Sequence, residues 1–306
     1  MKSKTPLLII ASFFSIYVIW GSTYLLNKIA VMQLPPFQVG AIRFLVAGIL
    51  IFIIAKFSGY SLKITRKQLM NTYIAGFLFL AGGNGILVWA LKYVDSGLAA
   101  LEISAQPLVV IILLRLIDGK KIKAMSVIGV ILGIIGIYLL ISQKQLISSE
   151  DTVVGLIMIF FCMLSWAFGS IFVSKADLPS NFFINTGYQM ISGGIFILIG
   201  SFAVGEQWIG FSSWKQEVQL SMLILVVFGS IVAFTSFNYL LRVVSPEKVA
   251  TSTYVNPLIA LLLGWYFLEE SITTQSIVAA GVLLTGVYFI NTKKMLTIFN
   301  RFKKEA

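Results

Sequence analysis

Charge disappears from this chain in blocks of about 20 residues, the length a helix needs to cross the hydrocarbon core of a bilayer. Eight blocks carry no Asp, Glu, Lys or Arg: Leu7–Asn27, Leu69–Leu91, Ala124–Ser142, Thr152–Ser174, Asn181–Gly205, Val218–Leu241, Val249–Leu268 and Ser271–Thr292. Two carry one charge each: Pro36–Ala55 holds Arg43 and Ser96–Leu114 holds Glu102. In lipid, only a helix satisfies its own backbone within one segment. The pattern predicts an all-α integral membrane protein with ten transmembrane helices. The first block follows Lys2 and Lys4, as a signal peptide would. It is too long for an h-region and has no A-x-A-like site after it, so it reads as the first span.

The charges that remain lie between the blocks. The N-terminus, the C-terminus and the loops after even-numbered blocks hold eighteen Lys and Arg, from Lys2 to Lys304. The other loops hold four: Lys28, Lys92, Lys144 and Lys215. With Arg43 inside a block, these account for all 23. The positive-inside rule therefore predicts that both termini are cytoplasmic. The formal charge of +11 reads as a collar beside anionic headgroups, not as a nucleic-acid footprint. The longest loops, near residues 56–68 and 206–217, are too short to hide a soluble domain.

Whole classes of chemistry are missing. There is no histidine and only one cysteine, Cys162. No Ser-His-Asp or Cys-His arrangement, no His-based metal site and no internal disulfide can form. Cys162 lies in an apolar block, where packing is its default role. Gly82, Gly83 and Gly85 flank Asn84 without the strand and lysine of a phosphate loop. No ATP-binding motif, cofactor or metal site is expected, and a lipid-modifying enzyme would need more clustered acid and base groups than Arg43 and Glu102.

The chain repeats itself. An offset of 150 places Gln106-Pro107-Leu108 on Asn256-Pro257-Leu258, Lys92 on Arg242, Gly136 on Gly286 and Tyr138 on Tyr288. An offset near 146 places Trp20 on Trp166, Arg43 on Gln189 and Gly48 on Gly194. The division predicts a first repeat over residues 1–147 and a second over 148–306. Five helices per repeat is odd, so the second copy enters the membrane from the opposite side. Such inverted repeats place a solute site near the midplane between them.

Trp20-Gly21-Ser22-Thr23, Lys28, Pro35-Pro36 and Ala41-Ile42-Arg43-Phe44 resemble the first EamA repeat of the drug/metabolite transporter superfamily. Tyr188-Gln189-Met190 with Gly193-Gly194, and Val255-Asn256-Pro257-Leu258 running into Phe267-Leu268-Glu269-Glu270, resemble the second. The first copy departs at Lys120, where a glutamate is usual. The resemblance implies a central cavity. It also implies export or exchange of amino acids, other metabolites or toxic organic compounds, usually across a bacterial plasma (inner) membrane.

Several residues are candidates to line that cavity. A charge within a membrane helix is a functional hypothesis by default. Glu102 is expected to pair with Arg43 and fasten the bundle, to serve a solute or a proton, or to stand hydrated in the outer leaflet. Pro107 and Pro257 lack an N–H and free carbonyls near the middle of their helices. Gln106 and Tyr254 with Asn256 stand beside them. Tyr17, Trp20 and Tyr24 share one helical face, and Trp166 matches Trp20, so these rings either pack or form cavity walls. Asn84, Asn238 and Tyr239 are further polar candidates. Gly129, Gly133, Gly136, Gly281 and Gly286 suit close helix packing in the fifth and tenth blocks. The expected activity is secondary transport by alternating access, with a small-molecule solute, the bilayer and a proton or other coupling ion as partners. A passive channel is the alternative. The chain is expected to be a monomer or a homodimer.

Overall fold

The computed structural model describes residues 5–119, 124–142, 150–244, 249 and 252–291. Among the described residues every regular element is helical. In chain order these are α1 (Pro6–Val31), α2 (Pro36–Phe57), α3 (Arg66–Ala90), α4 (Ser96–Ile117), α5 (Ala124–Ile141), α6 (Glu150–Val173), α7 (Phe182–Ala203), α8 (Gln216–Val243), α9 (Ser252–Leu268) and α10 (Thr274–Asn291). Seven are long and apolar enough to cross a membrane, and the apolar stretches described in α5, α9 and α10 are shorter. The Lys2, Lys4, Lys120, Lys121, Lys123, Lys144, Lys248 and Lys293–Ala306 part of the charge pattern lies outside the described residues.

Helix ends follow local chemistry. Thr65 and Gln68 form a capping box that starts α3 at Arg66, earlier than the apolar block begins. Pro36 sits in the first turn of α2. Asn181 accepts from Phe183 N and Ile184 N to start α7. Gly59 and Gly205 take positive φ just past α2 and α7, the conformation in which glycine has no Cβ penalty. Lys28, expected in a loop, instead lies within α1.

The helices meet in a paired pattern. The long pairings are α2 along α7 and α5 along α10, and α4 packs against α9. α1 packs against α8 and α9, while α6 packs against α3 and α4. Close packing is expected of the glycines in the fifth and tenth helices, against each other or across a dimer, and here the two helices pack on each other: a Cβ on Gly286 would stand 2.8 Å from the carbonyl oxygen of Gly129. Two buried cores stack along the bundle. One surrounds the start of α4 and the end of α1, and the other contains Ile16, Phe44, Phe79, Phe234 and Phe237. Large apolar side chains such as Ile134, Phe202 and Leu220 are exposed around the outside, as bilayer-facing surface requires.

Candidate functional site

Aromatic rings fill the middle of the second core. Trp20 of α1 and Trp166 of α6 meet edge to face, with centroids 5.9 Å apart. Phe237 of α8 touches both, at 5.0 and 5.8 Å, and Phe79 of α3 lies 4.8 Å from Trp166. The Trp20 indole N–H donates to Gly229 O at 3.3 Å. The predicted stripe of three α1 rings divides between the cores. Tyr17 and Trp20 pack on this one, and Tyr24 belongs to the other. Phe79 and Phe237 are not legible in the sequence, because an isolated phenylalanine in an apolar block carries no signal.

Arg43 and Glu102, expected as a possible pair, go to different partners. Arg43 Nε donates to Ser230 Oγ at 2.8 Å, and its Nη1 reaches Asn27 Oδ1 at 3.4 Å. The guanidinium is 3% exposed and a Cβ on Gly229 would stand 3.1 Å from Nη2. Glycine there makes room for the cation. Glu102 is 6% exposed and its Oε2 has no hydrogen-bond partner. The guanidinium and the carboxyl are thus buried separately, and an ionised group buried without a counter-charge costs several kcal/mol.

Glu102 sits just before a break in α4. The regular turns end at Ile103 and resume at Gln106. Pro107 cannot donate to Ile103 O, and the chain tightens: Ala105 N donates to Glu102 O at 3.0 Å, and Leu108 N to Ala105 O at 2.9 Å. α9 runs unbroken through Pro257.

The amides before the two prolines are already engaged. Gln106 Nε2 donates to Met163 O of α6 at 3.0 Å. With its amide oriented to satisfy both ends, Asn256 donates to Tyr17 O at 2.8 Å, Ile16 O at 3.0 Å and Ser252 O at 3.2 Å. Ile16 and Tyr17 belong to a π-helical turn, Ser15–Ile19. Such turns expose carbonyls that ordinary helices use internally, and they recur at functional sites. Further π-helical stretches lie at Phe77–Gly85 in α3, which contains half-buried Asn84, and at Leu225–Val232 in α8. The Tyr254 side chain lies outside the described ones.

Asn238 belongs to a network that sequence reasoning only partly found. Its Nδ2 donates to Thr186 Oγ1 at 2.9 Å, and its Oδ1 accepts from Asn185 Nδ2 at 3.4 Å. Asn185 Oδ1 in turn accepts from Gln189 Nε2 at 3.0 Å. All four side chains are buried, and two acceptors here lack partners: Gln189 Oε1 and Thr235 Oγ1. The available signal was Asn185, Thr186 and Gln189 within two turns of a charge-free helix. Tyr239, half-buried, instead meets Phe182 edge to face, with centroids 5.6 Å apart.

The end of the bundle where α4 begins is tied by charge. Glu270 accepts from Ser96 N at 2.8 Å, Ser96 Oγ at 2.8 Å and Gly97 N at 3.1 Å. Lys28 Nζ donates to Leu91 O at 2.8 Å and Val94 O at 2.7 Å, at the end of α3. Glu206 accepts from Phe37 N and Gln38 N at the start of α2. Carboxylates at helix starts and an ammonium at a helix end complement the backbone dipoles. Burial pushes the Asp95 carboxyl above the usual range; Glu270 adds to the rise and Lys28 opposes it. A cavity of about 500 Å³ here is lined by Trp265, Tyr266, Glu269, Glu270, Ser271 and Ile272. A narrow crevice beside it continues along Asp95, Leu98 and Leu101 of α4 and Leu261 of α9. None of the residues predicted to line a central cavity borders either space.

Known proteins agree with this architecture. The family model described as the EamA-like transporter family matches residues 7–142 and 153–292. The inner membrane transporter YedA of Escherichia coli K12 is 33% identical over 297 residues, covering 97% of this chain and 94% of its own. The transporter YvbV of Bacillus subtilis is 26% identical, with 95% and 93% covered. A crystal structure aligns with TM-score 0.67 at 16% identity, over 99% of this chain and 100% of its own, which shows the shared fold. The apolar helices and the two matched stretches lead to one assignment: the chain belongs to the EamA-like transporter family of multi-pass membrane proteins.

Proposed function

We propose that this protein is a secondary transporter of the bacterial plasma (inner) membrane that exports or exchanges small organic solutes by alternating access. In this reading α1 to α10 each cross the bilayer, both termini are cytoplasmic, and α1–α5 and α6–α10 are inverted repeats. The observation that carries it is a matched pair of clamps. Gln106 of α4 holds Met163 O of α6, and Asn256 of α9 holds Tyr17 O of α1. Exchanging α1–α5 for α6–α10 turns one clamp into the other. The same exchange maps the principal helix pairings onto one another: α2–α7, α4–α9 and α5–α10 onto themselves, α1–α8 onto α6–α3 and α1–α9 onto α6–α4. Two equivalent halves facing opposite ways give one site two equivalent exits.

The solute site lies between the Trp20/Trp166 rings, the Asn185–Gln189–Asn238 amides and Glu102. Unpartnered Gln189 Oε1, Thr235 Oγ1 and Glu102 Oε2 are the acceptors a polar solute or a coupling proton would meet. The test is a metabolite and toxicant screen comparing cells with the intact protein, cells lacking it and cells carrying Glu102→Gln. Export predicts at least one compound whose internal level rises without the protein and with the variant. Unchanged levels of every compound across the three would overturn the reading.

A further inference from the structure

We propose that Glu270 is a latch that holds the outer end of α4 against α9 and keeps the outer route to the solute site closed. This rests on the topology above, which puts the α3–α4 and α9–α10 turns on the outer face.

The latch is built from the second half and grips the first. Asp95 stands at the N-cap position of α4 but makes no side-chain cap. The exposed donors of that helix start go to Glu270 instead, through Ser96 N, Ser96 Oγ and Gly97 N. A carboxylate accepting several N–H and O–H groups at a helix start is a strong, directional contact. Two backbone features aim it. Glu269 adopts φ 55°, the left-handed region that a non-glycine residue rarely enters, and Glu270 N donates back to Gly264 O at 3.2 Å. Gly264 itself leaves the space: a Cβ there would meet Ser96 Oγ at 2.7 Å and collide with the Glu270 carboxylate.

The place of the latch gives it consequence. Glu270 borders both the 500 Å³ outer cavity and the narrow crevice between α4 and α9. Leu98 and Leu101 line that crevice, and Glu102 follows one residue on. The crevice gives only about 10 Å³ of room, space for about one water, so no organic solute passes between α4 and α9 here while the latch is shut. α4 can leave α9 only if Glu270 releases its helix start. The turn before α4 is held on its other side by Lys28, whose ammonium grips Leu91 O and Val94 O. By contrast α7, whose start faces the cytoplasm in this topology, is capped by its own Asn181.

The test replaces Cys162 with Ala and introduces Leu98→Cys as a reporter. A membrane-impermeant maleimide is then added to intact cells. Glu270→Ala is expected to speed labelling about tenfold, since it removes every bond to the charged cap. Glu270→Gln, which keeps the length and one acceptor, is expected to fall between, and it decides the question if the alanine variant is absent from the membrane. A separate Ser271→Cys reporter checks sidedness. Labelling of Ser271→Cys from outside, with unchanged Leu98→Cys rates in both Glu270 variants, would overturn the latch and leave the topology standing. Failure to label Ser271→Cys until cells are permeabilised would overturn the topology and the latch with it.

Discussion

The two stretches matched by the family, residues 7–142 and 153–292, share a helix plan but not a chemistry. The first buries charge: Arg43 in α2 and Glu102 in α4. The second puts neutral groups at the corresponding places, Gln189 in α7 and Ser252 in α9, both also buried. Symmetric elements are those made by backbone and amide, such as the Gln106 and Asn256 clamps. Asymmetric elements are those made by charge. Among the described residues, the buried acidic and basic side chains lie in the first stretch, while the helix plan and the amide clamps recur in both.

The strongest way to break that comparison is to move charge into the neutral copy. Gln189→Arg places a cation beside Asn185 and Thr186 with no acid among the described neighbours. It is expected to destabilise the protein by about 3–5 kcal/mol, read as a lost or sharply lowered unfolding midpoint in detergent. The reverse change, Arg43→Gln, removes a buried charge and is expected to leave the midpoint unchanged or raised while export falls at least about tenfold. A drop in both would make Arg43 a fastener. The clamps come next. Gln106→Ala removes the hydrogen bond to Met163 O, and Asn256→Ala removes those to Tyr17 O, Ile16 O and Ser252 O; each is expected to cost about 1–2 kcal/mol. Similar losses in the two variants sharpen the symmetry, and a loss confined to one breaks it.

The smallest effect concerns pH at the outer end. Burial and Glu270 hold the Asp95 carboxyl above its usual range. As pH falls from neutral, Asp95 therefore takes up its proton earlier than an ordinary carboxylate. Its repulsion of Glu270 then disappears, while Lys28 remains charged on the other side. Measured relative to the exposed Ser271→Cys reporter, which corrects for the loss of thiolate on acidification, Leu98→Cys should label about twofold more slowly at pH 5.5 than at pH 7.5. A ratio that rises at the lower pH contradicts that sign.

Sequence alone made the helices legible, because a charge-free block of about 20 residues has few other fates. It also made Pro107 and Pro257 legible as special positions, but not how differently α4 and α9 treat them. Periodicity does not encode why α4 breaks at Ser104–Ala105 while α9 runs on through Pro257. Gln106 and Asn256 were recognisable as polar groups at mid-membrane depth. Their assignment as cavity walls missed the π-turn and helix carbonyls opposite them, since a one-residue widening of a helix leaves no mark in composition. The Arg43–Glu102 pairing was the natural reading of two lone charges, yet Asn27 and Ser230 take the guanidinium instead. Glu270 was quoted only as part of a motif, because its partners lie 173 and 174 residues away.

Sidedness of two loops that follow corresponding helices tests the whole account most directly. With Cys162 replaced by Ala, cysteines are placed singly at Ser61, after α2, and at Ser212, after α7. The account predicts that an impermeant thiol reagent added to intact cells reaches Ser212→Cys but reaches Ser61→Cys only after the membrane is opened. Equal access to both from the same side would mean that the halves are not inverted, and the carrier mechanism built on that inversion would be wrong.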